Sequence, residues 1–225
     1  MGRDNQPKHR QVARSLKRRE GKRQTYERIL IVCEGQKTEP NYLRDIQQHY
    51  RLSTTHVQVL HSAHGTEPQQ VLEHALSVFN KGDRDRGIFP CAFDRIVVVF
   101  DRDEHKTYHL TLDQAEQVSG RLKNDDGEAV TIEPVTSVPC FELWLLLHFE
   151  DVRASLTRQQ AIARLGEHLP DYAKNGHGYW ARTLSRLEQA SSRAAQLESE
   201  HTARDGSKPF TGMHRLVGRL VHLKD

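Results

Sequence analysis

The sequence predicts an α/β protein, a mostly parallel four-stranded sheet flanked by helices and closed by a C-terminal helical cap. Three observations predict it. Four short apolar runs rich in β-branched residues, at 27–33, 56–61, 96–100 and 129–135, have the length of strands. Segments of helical length lie between them, and crossovers of that length join parallel neighbours. After Glu150 the composition turns polar, in two or three helices joined by Gly-containing loops.

Taken in order, residues 1–25 hold almost nothing apolar beyond Val12, Ala13 and Leu16 and read as an arm without a core. Residues 26–150 form the sheet domain and 151–225 the helical extension. The first strand, 27–33, ends at Glu34-Gly35. Thr38 is placed to cap a helix over 41–50, with Pro40 in its first turn. The Gly and Lys of this loop lack the G-x-x-x-x-G-K-[ST] spacing, which excludes a nucleoside-triphosphate motor. The run 56–61 alternates as the second strand and breaks at Gly65. Over 67–80, Val71, Leu72, Ala75, Leu76 and Phe79 then share one helical face.

A charged turn over 81–90 leads to the third strand, 96–100, five apolar residues that read as buried on both faces. They stop at Asp101-Arg102-Asp103-Glu104. A helix over 110–123, a turn over 124–127 and the fourth strand, 129–135, follow. Beyond Pro139 the chain is apolar almost all round to Phe149, the mark of a buried helix. Glu142 is its exception, needing a partner or the favour of a helix N-terminus. His148 reads as a core histidine rather than a ligand. Helices are expected over 157–168, 181–200 and 211–223.

Charged residues make up 28% of the 225 and no window has the apolar length of a membrane span. Nor does the N-terminus have the apolar core of a signal peptide. Cys33, Cys91 and Cys140 are odd in number and lack zinc-site spacing, so a reducing cytoplasmic setting is expected. The net charge of +3 conceals an asymmetry: residues 1–28 carry ten Lys/Arg against three Asp/Glu, and the rest is net acidic. Such an arm attracts phosphate backbones. Arg14, Lys17, Arg18, Arg19, Lys22 and Arg23, with Lys174 from the C-terminal region, are the candidate nucleic-acid contacts. The alternative is a solvated tail that aids solubility.

In open α/β sheets the chemistry gathers beyond the carboxyl ends of the strands. Glu34 falls there after the first strand, and Asp101 and Asp103 after the third. If the chain stays extended past Phe100, the two aspartates point the same way, and such neighbours repel unless a cation lies between them. A solvated acidic loop is the plainer alternative. Three converging carboxylates suit one or two hard cations, Mg²⁺ (or Mn²⁺), able to polarise a phosphodiester and activate water. Glu34 or Glu142 is the candidate proton acceptor, and Lys37 would offset charge on the phosphoryl oxygens.

The stretches ILIVCEGQKTEPNYL (29–43), VVVFDRDEH (97–105) and SVPCFELWLLLHF (137–149) carry a resemblance, supported by Tyr172-Ala173-Lys174 and SKPFTGMHRLVGRL (207–220). A Glu after the first strand with a DxD after the third resembles the Toprim fold of topoisomerases, primases and certain nucleases. The whole set is similar to the RloB-like family, a Toprim-related group linked to bacterial restriction and anti-phage loci. Val138 and Cys140 stand where a more polar residue is expected.

The resemblance implies metal binding by Glu34, Asp101 and Asp103, with Glu142 and Lys37 as members of the site. It implies a metal-dependent nuclease on RNA (tRNA among the candidates) or DNA in anti-phage defence, with an ATPase or other defence-system protein as a candidate partner. A non-catalytic nucleic-acid-binding or sensor subunit is the alternative. A haloacid-dehalogenase-type phosphatase with Asp101 as nucleophile is disfavoured. Its DxD sits on the first strand with Thr or Val following, where this chain has a third strand and His105.

Overall fold

The computed structural model describes residues 26–103, 105–174 and 176–225. The arm expected over 1–25, with Arg14, Lys17, Arg18, Arg19, Lys22 and Arg23, lies outside the described residues. Five strands form one sheet: β1 Ile29–Cys33, β2 Val57–His61, β3 Arg95–Asp101, β4 Thr131–Val138 and β5 Phe210–Thr211, in the order β2-β1-β3-β4-β5. The first four run parallel. β5 pairs antiparallel with the end of β4, Ser137 opposite Thr211 and Val138 opposite Phe210.

The sheet is thus mixed and five-stranded rather than four-stranded. Two residues are too few to show the alternation by which a strand is read from sequence. β4 also runs past the expected 135, and Pro134 does not break it. β5 covers only the end of β4, so the outer edge beside Pro134 is open and no donor is missed there.

The helices are α1 Thr38–His49, α2 Pro68–Lys81, α3 Tyr108–Val118, α4 Glu142–Leu146, α5 Arg158–His168, α6 Tyr179–Thr183, α7 Leu187–Glu200 and α8 Met213–Val221. α1 starts earlier than expected and Thr38 is not its cap. Lys37 holds the cap position without a side-chain bond, and the Thr38 hydroxyl donates instead to the Lys174 carbonyl. α3 ends short of Lys123 because Gly120 turns the chain at φ 77°, while the Ser119 hydroxyl accepts the Ile132 N–H at 2.9 Å. A 3₁₀ turn at Leu184–Arg186 divides the single helix expected over 181–200. No described helix is long and apolar enough to cross a membrane.

Alternation along the strands divides the core in two. Ile29, Ile31, Cys33, Val97 and Val99 pack with Leu43, Ile46, Trp144, Leu197 and Leu216, from α1, α4, α7 and α8. Leu30, Val32, Ile96, Val98 and Phe100 pack on the other face with Val71 and Phe79 of α2 and Leu112 and Ala115 of α3. β1 and β3 are therefore buried on both sides. α4 is buried throughout, and His148 just beyond it is a core histidine. Its Nδ1 bonds the Trp144 carbonyl at 3.0 Å, and burial pulls the ring down to about 4. With β2 on one side of β1 and β3 on the other, the strand order reverses at β1. The crevice of an open α/β sheet then lies beyond the carboxyl ends of β1 and β3.

Candidate functional site

Glu34 leaves β1 at that crevice. Its N–H extends the ladder to the Val99 carbonyl at 2.8 Å. Its carboxylate accepts the Asp101 N–H at 3.0 Å through Oε2 and meets His105 Nε2 at 3.2 Å through Oε1. Burial pushes this carboxyl up from its usual range, against the pull of the Asp101 N–H and His105.

The two aspartates do not follow the extended geometry expected of them. β3 ends at Asp101 and the chain turns, with Asp103 in the left-handed region at φ 32°, a conformation Asp tolerates better than most residues. Asp101 shares the parity of Val97 and Val99, so it faces the α1 and α4 side and is 5% exposed. Asp103 stays partly open. A cation nonetheless joins them: Arg158, the first residue of α5, lies 3.5 Å from Asp101 through Nη2 and pairs with Asp103 through Nη1. Burial opposes the Arg158 charge, but Asp101, Asp103 and Glu142 raise its pKa.

Two further carboxylates complete the group. Glu39, in the first turn of α1, is 9% exposed and Glu142, opening α4, is 2% exposed. Glu142 Oε1 accepts the Tyr172 hydroxyl at 2.9 Å, while its buried Oε2 has no partner. Burial, then the nearby Glu142 and Glu34 charges, push Glu39 up to about 7. The same causes, with Glu39 foremost among the neighbours, hold Asp101 well above the carboxylate range. Burial and Glu142 keep the Cys140 thiol and the Tyr172 phenol protonated.

Glu39, Glu142 and Arg158 line a cavity of about 350 Å³ together with the exposed Lys37 and Lys174. On its other side Arg158, with Asp103 and Arg102, lines a second cavity of about 730 Å³. The structure thus gathers Glu34, Asp101, Asp103, Glu142, Lys37 and Lys174 around one crevice. Glu34, Asp103 and His105 each offer a ligand atom within 4.8 Å of the others. Asp101 is outside that trio and engaged with Arg158. The trio's donors, two carboxylates and an imidazole, fit a divalent cation, and Glu142, outside the trio, has one buried oxygen unsatisfied.

Sequence reasoning missed Glu39, Arg158, His105, Glu67 and Tyr172 as members of the site. Two left a trace. A cation at the first position of a helix opposes the macrodipole, and Glu is an unusual N-cap, yet Arg158 and Glu67 hold those places in α5 and α2.

The Glu39 shift has a testable sign. Between the ordinary 4.5 and about 7, the folded protein holds a proton that the unfolded chain has released, so stability falls as pH rises through that window. Glu39→Gln removes this penalty. Its melting temperature relative to wild type, in chelator, is expected to climb from pH 4.5 to 7.5 by roughly 1–3 kcal/mol equivalent. A difference that stays flat with pH contradicts the assignment.

A family model described as RloB-like protein matches residues 29–220, which takes in every described residue of the crevice. No curated protein and no solved structure matches the chain.

Proposed function

The chain belongs to the RloB-like protein family, and on that premise we propose that it is a Mg²⁺- or Mn²⁺-dependent nuclease hydrolysing phosphodiester bonds of RNA, tRNA among the candidates, or of DNA. The observation that carries the reading is the meeting of Glu34, Glu39, Asp101, Asp103 and Glu142 beyond β1 and β3, with a buried Glu142 oxygen unpartnered. Burial and acidic neighbours hold Glu39 and Asp101 above their usual range, and a cation entering the crevice would favour their ionised forms. A Glu after β1 with a DxD after β3 supports the Toprim relation.

Glu34 and Asp103 are the proposed ligands, with Asp101 joining them where the cation displaces Arg158 from it. The cation would polarise the phosphoryl oxygens and lower the pKa of an attacking water. The protein's own groups would do the rest. Lys37 and Lys174, exposed beside the cavity, receive phosphate oxygens, and Lys37 offsets charge developing on them. Glu142, held through Oε1 by Tyr172 with Oε2 unpartnered, would accept the water's proton, Glu34 being the other candidate. The resemblance to a family linked to bacterial restriction and anti-phage loci supports a role in defence, in the cytoplasm, with an ATPase or other defence-system protein as candidate partner.

One observation favours a second reading. Arg158 already lies against both Asp101 and Asp103, as it would in a nucleic-acid-binding or sensor subunit whose acidic edge is structural. A phosphatase with Asp101 as nucleophile gains nothing, because that carboxylate is buried and paired. Incubating the full chain with total tRNA and plasmid DNA, with Mg²⁺, Mn²⁺ or EDTA, separates the readings. Cleavage that stops in EDTA supports the nuclease, cleavage indifferent to EDTA overturns it, and binding without cleavage moves the assignment to the second reading.

The arm has its own expected outcome. Deleting residues 1–25 should leave the melting temperature unchanged and flatten the plot of log affinity against log salt, by about 0.7–0.9 for each phosphate that the arm had neutralised. An unchanged slope would leave the arm a solubility tail.

A further inference from the structure

His105 is gripped at both nitrogens. Nδ1 lies 3.2 Å from Glu67 Oε1, and Nε2 lies 3.2 Å from Glu34 Oε1. Glu67 is itself held at the start of α2: Thr107 donates to its Oε2 at 2.9 Å, and it forms a capping box with Gln70. With Nδ1–H donating to Glu67, Nε2 is the nitrogen turned to the crevice, where it meets the Glu34 carboxylate and where a cation could take the place of its proton. Asp103, in the left-handed region, and His105 both bring a ligand atom within 4.8 Å of Glu34.

A carboxylate behind a histidine, fixing its ring while the other nitrogen looks into a cluster of oxygen donors, is the outer-shell arrangement of histidine metal ligands. We propose that His105 is a ligand of the crevice cation, oriented by Glu67, and that this nitrogen gives the centre a preference for Mn²⁺ over Mg²⁺. The inference rests on the metal-dependent reading above and adds the identity of the ion. Mg²⁺ takes oxygen ligands in a tight octahedron and sheds water reluctantly. First-row transition ions accept imidazole readily. Glu67 is a positioning residue here, reaching the cation only through the ring.

The test uses the full chain loaded with Mn²⁺, read by electron spin-echo modulation from ¹⁴N and by calorimetric titration with Mn²⁺ and Mg²⁺. Wild type is expected to show imidazole ¹⁴N modulation and to bind Mn²⁺ at least about tenfold more tightly than Mg²⁺. His105→Gln loses the modulation and most of the preference. His105→Glu, which restores an oxygen donor, binds both ions without the nitrogen signature. Glu67→Gln keeps the modulation while weakening Mn²⁺ by about 10–100-fold, as loss of such an outer partner does. Modulation that is absent in wild type, or that survives in His105→Gln, overturns the role of His105 and leaves a metal-dependent nuclease standing. Failure of wild type to bind either ion overturns both.

Discussion

Glu34→Ala and Asp103→Ala are each expected to cut cleavage of RNA or DNA by about 10²–10³-fold or more, while nucleic-acid binding stays near the wild-type level. The separation follows from where the charges lie. Binding is assigned to the basic arm and to Lys37 and Lys174, whereas the two acids sit at the ends of β1 and β3 with oxygens turned to one another and to His105. Removing either one dismantles the same centre, so the double variant should be no worse than the single ones, as with residues that act as a unit. Gel assays with matched protein and Mn²⁺ decide it. A double variant that still cleaves, or single losses that multiply, would show that the acids do not work together.

Arg158→Met is expected to lower the melting temperature in EDTA by about 5–10 °C. Arg158 lies within reach of both aspartates and pairs most closely with Asp103, while burial and acidic neighbours hold Asp101 toward its protonated form. Stripping one partner from a buried ion pair costs about 3–5 kcal/mol. The side chain of Arg158 is 32% exposed, so solvent screening reduces this to roughly 2–3 kcal/mol, at about 2–4 °C each for a chain of this size. Adding Mn²⁺ should return most of the loss, raising the variant's melting temperature by more than it raises wild type's. A variant that melts with wild type in EDTA, or gains no more from Mn²⁺, contradicts the role of Arg158 as the crevice's resident positive charge.

What could be read in advance divides along a physical line. The four parallel strands and the placement of Glu34 and Asp101 at their ends follow from local runs, because burial on both faces writes itself into consecutive apolar residues. The resemblance placed Glu142 and Lys37 in the same neighbourhood. Arg158 could not be foreseen in this way, standing 55 residues from Asp103 in sequence, with no local pattern to announce its partner. Asp101 and Asp103 were expected side by side on an extended chain. The turn at Asp103 instead leaves the Asp101 carboxylate buried and the Asp103 carboxylate part-exposed near Glu34 and His105, with Arg158 in reach of both. β5 escaped because its two residues are ordered by what β4 offers, not by their own periodicity.

β5 and α8 carry a consequence for the way the protein comes into being. They follow every other described element in sequence and so leave the ribosome after them. Yet Thr211 lies opposite Ser137, the neighbour of Asp101 on β4, and α8 shares an apolar cluster with β1 at the start of the described chain. Pairings between distant parts of a sequence form late and together. A chain synthesised only as far as α4 has its acids but neither the Arg158 helix nor the closing strand, so it cannot yet assemble the crevice. On the proposed reading, a copy still being synthesised would hold its acids without the Arg158 helix, β5 or α8, and the crevice would be completed only when the end of the described chain folds back onto β4 and β1.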